Sequence, residues 1–375
     1  MDLELHAKKL VEDVFALKRN ENFLIITEEF DETINISTHD KVRWKKLESF
    51  VVTLYNAIKG YFPNTSLYIY SSTKGSGKEP QIDVWEKAFG IKITDAFKKD
   101  NLINKIINKN LQEEDYKKID IVFSENNTPK YSAIMAITNF STTHTNFRKL
   151  LTDKLGVRYA SMPLFEPDMF KTSMRANYKE LEELTIKVAN KLNNYESFHV
   201  KAENGTDLYI FKDSRKVKPD TGNLKQFGTY SNLPAGEAFF APLEGKSKGT
   251  LVLEYSVTRK LDSPIILNID DGRLVKITGS EPYADELKRK IEAHPNNKNL
   301  AEMGFGTNKY AVMIDNILEA EKIYGTVHFA FGDNKGFGGN TSAPFHEDYI
   351  ILYPNVSGIK NGAEELVMEN REFIL

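Results

Sequence analysis

The sequence contains no cysteine, little net charge and no long apolar run, and each absence excludes a class of protein. Without cysteine, disulfides, thiolate metal sites and cysteine nucleophiles are excluded. A formal net charge of −3 gives no general reason to expect binding to nucleic acid. No apolar run approaches the roughly 18 residues of a membrane span, and residues 1–20 lack the layout of a signal peptide. We therefore expect a cytoplasmic protein with neither nucleic-acid nor membrane partners, in which any metal has oxygen and imidazole ligands.

The first part of the chain has the pattern of an α/β domain. Hydrophobic residues make up 41% and charged residues 27%, which is typical of a folded globular protein. Short apolar runs, which we interpret as strands, alternate with helical periodicity and lie at residues 23–26, 67–70, 119–123 and 132–138. This alternation is typical of a parallel sheet covered on both faces. We predict an α/β N-terminal domain with a mostly parallel sheet over residues 1–165.

The pattern changes after a long charged segment at about 173–193, which we interpret as a helix. Beyond it, short strand-like runs are separated by Gly, Asn, Asp and Pro, as at 198–201, 207–211 and 250–253. The length of 375 residues also favours two domains. We predict an α+β, β-rich C-terminal domain over residues 166–375, and the following residues indicate that it binds metal.

Most of the histidines give no sign of a site. His6, His39, His199 and His294 have no acidic or histidine companion at a useful spacing. His144 lies among hydroxyl residues that suit the start of a helix, so we interpret its segment as a helix cap. Two of the seven histidines then remain as candidate ligands.

His328 and His346 lie within about twenty residues of each other and have informative surroundings. His346 and Asp348 are two positions apart, so in a strand both side chains project from one face and can bind one ion. A strand through the apolar run 327–331 places His328 on the face opposite to its apolar neighbours. Because a buried imidazole needs a hydrogen-bond partner or a metal, His328 is a third candidate ligand.

Two glutamates in apolar segments strengthen this prediction. Glu237 precedes Ala238-Phe239-Phe240-Ala241-Pro242, and Glu302 lies between small and apolar residues. Glutamate is rarely buried without a partner. Three carboxylates and two histidines could hold two divalent ions, because one carboxylate can bridge a pair of metals about 3.5–4 Å apart. Such a pair would activate water for a hydrolysis.

These segments resemble the M29 family of metallo-aminopeptidases, the thermophilic aminopeptidase T group. The resemblance is carried by residues 232–242 (NLPAGEAFFAP), by the surroundings of Glu302, by residues 328–332 (HFAFG), and by His346-Glu347-Asp348. A further stretch, from residues 142–145 to 160–163, is similar to the family's exit from its N-terminal domain. The resemblance therefore spans most of the chain.

The resemblance implies a set of ligands, a pair of ions and a homodimer. The family's two glutamate ligands fall on Glu237 and Glu302, its first histidine on His328, and its closing pair on His346 and Asp348. Zinc or cobalt would suit these mixed nitrogen and oxygen ligands. The resemblance also implies that a small peptide is the substrate.

One position departs from the pattern of the family. Seven residues after the first histidine ligand, the family has a tyrosine that is thought to assist the polarised carbonyl, and this chain has Lys335. Lys335 could serve as an electrophile, or Tyr324 or Tyr349 could take that place. Glu319 and Glu321 lie near the family's acidic segment, where a general-base role is open.

Three hypotheses follow. The first is a two-metal aminopeptidase-like hydrolase that removes N-terminal residues from peptides. The second is a mononuclear iron enzyme in which His328, His346 and Asp348 form a two-histidine, one-carboxylate triad, since ring-cleaving dioxygenases for hydroxylated pyridines also resemble the M29 family. The third is a non-catalytic descendant that binds a peptide or a small molecule, with Lys335 marking the lost activity.

Overall fold

The chain folds into two compact units, each with its own hydrophobic core. In this computed structural model, which describes residues 3–99 and 101–375, the first unit runs to Phe170 and also includes Gly222–Leu233. The second unit comprises Lys171–Thr221 and Pro234–Leu375. The sequence prediction assigned Gly222–Leu233 to the C-terminal domain, but in the structure this segment adds a strand to the sheet of the first unit.

The first unit is an α/β structure, as predicted. Its strands, numbered along the chain, are Phe23–Glu28 (β1), Thr65–Tyr70 (β2), Ala133–Thr138 (β3), Arg158–Pro163 (β4) and Tyr230–Asn232 (β8). Its helices are Leu3–Lys9 (α1), Thr38–Tyr61 (α2), Ile82–Phe89 (α3), Ile91–Lys99 (α4), Leu102–Ile107 (α5), Glu113–Glu125 (α6) and Asn146–Asp153 (α7). The strand order is β2-β1-β3-β4-β8, and the neighbouring strands are parallel. Strands β1 and β3 are buried along their whole length, which is expected for a sheet covered on both faces.

The prediction of a strand at residues 119–123 is wrong, because these residues lie inside helix α6. A capping box starts the helix: the side chain of Gln112 accepts a backbone hydrogen bond from Asp115, whose carboxylate accepts one from the backbone of Gln112. Ile119 and Phe123, four positions apart, are the buried apolar residues of the helix. The apolar run therefore marks the buried face of a helix and not a strand.

The second unit is rich in strands. Its helices are Tyr178–Leu192 (α8), Pro282–Glu292 (α9) and Ile317–Ala320 (α10). Its strands are Ser197–Lys201 (β5), Asp207–Phe211 (β6), Lys218–Asp220 (β7), Glu237–Phe240 (β9), Lys248–Tyr255 (β10), Lys260–Asp270 (β11), Arg273–Thr278 (β12), Leu300–Gly306 (β13), Val327–Gly332 (β14), His346–Ile351 (β15), Asn355–Lys360 (β16), Ala363–Glu369 (β17) and Glu372–Phe373 (β18). They form two antiparallel sheets, one with the order β12-β11-β10-β6-β5-β16-β17-β18 and the other with the order β15-β14-β13-β9-β7. Among the residues described, no helix combines the length and the apolarity that a membrane crossing requires.

A buried carboxylate at the start of α7 makes the stability of the first unit depend on pH. Glu79 is 7% exposed and accepts backbone hydrogen bonds from Asn146 (2.6 Å) and Phe147 (2.9 Å). Burial raises the pKa of Glu79 to about 7, although these hydrogen bonds and the charges of Lys109 and Lys149 oppose the rise. The folded-state pKa thus lies above the unfolded value of 4.5. The stability that Glu79 contributes is therefore complete below pH 4.5 and is lost as the pH rises through 7.

The Glu79→Gln variant removes this titration. We expect the free energy of unfolding of the wild type, relative to the variant, to fall by up to ~3 kcal/mol between pH 4.5 and 8. Urea denaturation of both proteins across this range measures the difference. The readout is how the difference changes with pH, and not the absolute stability of the variant. Glutamine also replaces one carboxylate oxygen of Glu79, which accepts a hydrogen bond, by an NH₂ group, which cannot accept one. A difference that stays constant with pH would contradict the prediction.

Candidate metal centre

One face of the sheet β15-β14-β13-β9-β7 is apolar, and the other carries polar side chains. Since side chains alternate between faces along a strand, Val327, Phe329 and Phe331 of β14 enter the hydrophobic core of the second unit. His328, between them, lies on the opposite face and is 1% exposed. This is the arrangement that the sequence predicted for β14.

Each of the five predicted ligands lies opposite a glycine or an alanine on the neighbouring strand. The backbone register pairs them as follows: Glu237 with Gly306, Glu302 with Ala330, His328 with Gly304, His346 with Gly332, and Asp348 with Ala330. Small cross-strand partners leave space above the sheet for the longer polar side chains. Four adjacent strands thus bring together side chains that are far apart in the sequence.

The five side chains form two groups that share Glu302: Glu237, Glu302 and His328 on one side, and Glu302, His346 and Asp348 on the other. In each group, one possible ligand atom per residue lies within 4.8 Å of the others. His328 Nε2 lies 3.1 Å from Glu237 Oε2 and 3.6 Å from Glu302 Oε1. His346 Nε2 lies 3.4 Å from Glu302 Oε2 and 3.6 Å from Asp348 Oδ2. The two oxygens of Glu302 therefore face different histidines.

A buried lysine adjoins the first group. Lys322 Nζ donates hydrogen bonds to Glu237 Oε1 and Glu321 Oε1, both at 2.6 Å, and the lysine side chain is 0% exposed. The site therefore has a closed inner end around Lys322. Its outer end is more open, because His346 and Asp348 have side-chain exposures of 15% and 20%.

The carboxylates create a field that favours cations. Burial lowers the pKa of a histidine, but Glu237 and Glu302 prevail and raise the pKa of His328 well above its ordinary value. Burial likewise opposes protonation of His346, but the charges of Asp348 and Glu302 raise the pKa of His346 to about 10. A divalent ion placed among these residues would gain from the same field. The electrostatics therefore fit a metal site.

The pKa values of the two glutamates that bind Lys322 are shifted in opposite directions. Burial alone raises the pKa of Glu237, but the charge of Lys322 and the neighbouring His328 outweigh burial and lower this pKa to about 2. For Glu321, burial dominates and raises the pKa to about 8, although Lys322 lowers it. Lys322 itself keeps its charge, because burial lowers its pKa but the charges of Glu237 and Glu321 raise it further.

The surroundings of His328 also fit a bound ion. Among the described residues, neither ring nitrogen of His328 has a hydrogen-bond partner, nor does Oδ1 of Asp348. A buried polar atom without a partner costs free energy, and a metal ligand bond removes that cost. Gly304 leaves the room for the ring: a Cβ at this position would lie 2.1 Å from His328 Nε2.

The loop between β14 and β15 orients His346. Nδ1 of His346 lies 2.7 Å from the carbonyl oxygen of Asp333, which accepts its hydrogen and leaves Nε2 directed at the carboxylates. Phe337 lies edge-on to the His346 ring, at 5.8 Å between centroids. Asn334 closes the loop, since its Nδ2 donates to Glu244 (3.0 Å) and its Oδ1 accepts from the backbone of Thr341 (2.9 Å). The loop thus holds a candidate ligand in one orientation.

The Asn334→Ala variant tests this role of the loop. Without the amide, the loop loses two hydrogen bonds, and we expect a 10–100-fold weaker affinity for a divalent ion with the fold retained. Isothermal titration with zinc measures the affinity. Asn340→Ala is the matched control, because Asn340 is exposed and binds Glu244 through its backbone N–H at 2.8 Å. Equal affinities of the two variants would contradict the prediction.

The structure places Lys335 outside the strands that carry the five predicted ligands. Lys335 is exposed at the start of a short 3-10 turn, and its backbone N–H donates to Thr341. In the same turn, Phe337 lies edge-on to the ring of His346. The two tyrosines considered as substitutes also bind elsewhere: the hydroxyl of Tyr324 donates to Glu372, and that of Tyr349, on the core face of β15, donates to Glu347.

Of the two acidic residues near the family's acidic segment, Glu321 adjoins the group through Lys322. Glu319 instead accepts backbone hydrogen bonds from Ser173 and Val312. Sequence reasoning missed Lys322 altogether. The available signal was a lysine directly after Glu321 and before the apolar Ile323, since lysine is seldom buried without a charged partner.

Comparisons with known proteins extend these observations. The sequence model of the family described as NicX, 2,5-dihydroxypyridine 5,6-dioxygenase, matches residues 165–356. The chain is similar to the structure of a 2,5-dihydroxypyridine dioxygenase from Pseudomonas putida, with a TM-score of 0.68 and 14% identity over 99% of this chain and 96% of that chain. It is also similar to wild-type AmpT from Thermus thermophilus, with a TM-score of 0.60 and 14% identity over 100% of this chain and 99% of that chain. No curated protein sequence matches the chain. At this identity, the two structures establish the fold.

Proposed function

The chain belongs to the family of NicX, 2,5-dihydroxypyridine 5,6-dioxygenase, and from this we propose that it is an iron-dependent dioxygenase that cleaves a dihydroxylated pyridine ring. The observation that carries the proposal is the family match itself, which covers just over half of the chain. The matched residues, 165–356, include every side chain of the two groups of candidate ligands.

This membership overturns the prediction of a two-metal aminopeptidase-like hydrolase with a small peptide as substrate. The resemblance to M29 aminopeptidases holds for the fold, as the similarity to AmpT indicates. The family match and the similarity to a dioxygenase both favour the second hypothesis, ring cleavage. The carboxylates and histidines suit either chemistry, so their presence did not distinguish a hydrolase from an oxygenase.

The proposed reaction balances without an outside reductant. The C5–C6 bond of the ring breaks, and each of the two separated carbons gains one atom of O₂. The four electrons that reduce O₂ come from the ring. A ferrous ion bound at the site would supply the redox-active, open-shell partner that O₂ needs in order to react with a closed-shell ring.

His328, His346 and Asp348 would hold the ion, as the two-histidine, one-carboxylate set of many non-haem iron oxygenases. His346 is held ready by the carbonyl oxygen of Asp333. Glu302, whose two oxygens face the Nε2 atoms of the two histidines at 3.6 and 3.4 Å, would lie beside the ion as a further carboxylate ligand. The substrate would approach from the side of His346 and Asp348, since these two ligands are the more exposed ones.

Oxygen uptake tests the proposal. The full-length protein, freed of metal and reloaded with ferrous iron, should consume one O₂ per molecule of 2,5-dihydroxypyridine, and both atoms of labelled O₂ should appear in the ring-opened product. The same protein loaded with zinc is the control, because zinc has no accessible redox chemistry. Iron-loaded protein that consumes no O₂ with this ring or with other dihydroxylated pyridines would refute the proposal.

A further inference from the structure

The two groups of candidate ligands are unequal. The outer group, Glu302, His346 and Asp348, has no lysine or arginine in ion-pair contact among the described residues. The inner group, Glu237, Glu302 and His328, meets the same distance requirement, but Lys322 already binds one of its carboxylates. Both groups therefore look suitable for an ion by distance, whereas only one of them is free of another cation.

The ammonium of Lys322 lies between two carboxylates, as a bound cation would. Its ammonium lies 2.6 Å from an oxygen of Glu237 and 2.6 Å from an oxygen of Glu321, and the side chain is completely buried. A lysine is a compact point charge, and two carboxylates fix its position here. The other oxygen of Glu237 faces His328 at 3.1 Å. One oxygen of Glu237 thus binds Lys322, and the other faces His328, before any ion binds.

We infer that the ammonium of Lys322 replaces a second divalent ion, so that the site holds one ion per chain and not two. An ion bound at the inner group would lie close to the fixed positive charge of Lys322, and like charges repel strongly in such a buried place. An ion at the outer group keeps the carboxylates of Glu302 and Asp348, and His328, whose Nε2 lies 3.6 Å from the shared Glu302, would complete its ligands. Lys322 is therefore a positioning residue that sets the number of ions.

The inference rests on the proposed metal site, but not on ring cleavage. It explains how a chain can retain all five residues of a two-metal pattern and still act as a one-metal enzyme. In this account Glu237 accepts a hydrogen bond from Lys322 at the closed end of the site and does not bind a second ion. A merely structural salt bridge would predict no effect of Lys322 on the number of bound ions.

Metal stoichiometry tests the inference. The metal-free full-length protein is titrated with cobalt(II) and, separately, with zinc; the bound metal is counted by mass spectrometry after gel filtration, and cobalt binding is followed by its visible absorption. We expect one ion per chain in the wild type and two in Lys322→Met. Lys212→Met is the matched control, because Lys212 is also buried but its Nζ donates to the backbone carbonyls of Asp213 and Arg215. This control should bind one ion.

The outcomes separate the inference from the proposed function. Two ions in the wild type, or one ion in Lys322→Met with its fold intact by circular dichroism, would overturn the role of Lys322. If the methionine variant does not fold, Lys322→Gln replaces it, since an amide can bind both carboxylates without a charge. A wild type that binds no ion would overturn both ideas. One bound ion without O₂ uptake would overturn ring cleavage alone.

Discussion

Replacing Gly304 by alanine is expected to displace His328 and to weaken iron binding by more than about 100-fold, beyond the loss usual for an outer partner of a ligand. The added Cβ would lie 2.1 Å from Nε2 and 2.2 Å from Cε1 of the ring. Contacts this short do not occur between non-bonded atoms, so the ring must move. His328 is 1% exposed and belongs to a paired strand, so moving the ring requires local rearrangement.

Isothermal titration and thermal unfolding measure both consequences of Gly304→Ala. We expect the affinity to fall and the melting temperature of the metal-free protein to decrease, because overpacking costs typically 1–3 kcal/mol. Gly60→Ala is the control, since Gly60 lies in helix α2 with nothing within 4 Å of the added atom. It should leave iron binding unchanged and should stabilise the helix slightly. Wild-type affinity in Gly304→Ala would show that His328 is not a ligand.

Replacing His346 by alanine is expected to remove iron and ring cleavage together. The ring supplies an oriented Nε2 that faces Glu302 and Asp348 at 3.4 and 3.6 Å, and its loss leaves the carboxylates of the outer group without their imidazole. Because the loss of an outer partner alone costs about 10–100-fold in affinity or activity, the loss of the ligand itself should exceed that range. Iron content after gel filtration and the rate of O₂ uptake give the two readouts.

His39→Ala is the matched control for His346→Ala, because His39 is an exposed histidine in the first unit. It should retain full iron content and full O₂ uptake. A second comparison separates ligand loss from unfolding: His346→Ala should keep the circular dichroism and the unfolding transition of the metal-free protein. Full activity in a well-folded His346→Ala would remove His346 from the site.

The parts of the site that depend on local pattern were predictable from the sequence. His346 and Asp348 share a face because they are two positions apart in a strand, and His328 is opposite its apolar neighbours for the same reason. Glu237 and Glu302 were found because a carboxylate in an apolar segment needs a partner and because their segments resemble those of the M29 family. These arguments need no knowledge of which strands pair.

Lys322 was not predictable, because its partner Glu237 is 85 positions away and meets it only in the folded structure. The same reason applies to His199, for which the sequence indicated no companion. In the structure, His199 of β5 lies 2.8 Å from Asp207 on the adjacent strand and 3.4 Å from Glu364. Long-range pairings of this kind are set by sheet topology, which a single sequence does not contain.

The proposed reaction could not be predicted from the types of residue alone. Carboxylate and imidazole ligands are compatible with a hydrolase and with an oxygenase, so the five residues could not select between them. At residues 119–123, the apolar run fitted a strand or a helix equally well, and the capping box of Gln112 and Asp115 decided for a helix.

Because Gly222–Leu233 belongs to the first unit, this unit cannot fold completely until the chain has been synthesised past these residues, and it cannot be isolated by a cut at Phe170. On the ribosome, the parallel sheet cannot be finished when Phe170 emerges, because β8 is synthesised about sixty residues later, after α8 and β5–β7. Until then β4 has an unpaired edge, which is a template for joining another chain. A fragment cut at Phe170 would keep that edge permanently and should be prone to aggregation. Fusing residues 222–233 back onto the fragment through a flexible linker should make it soluble.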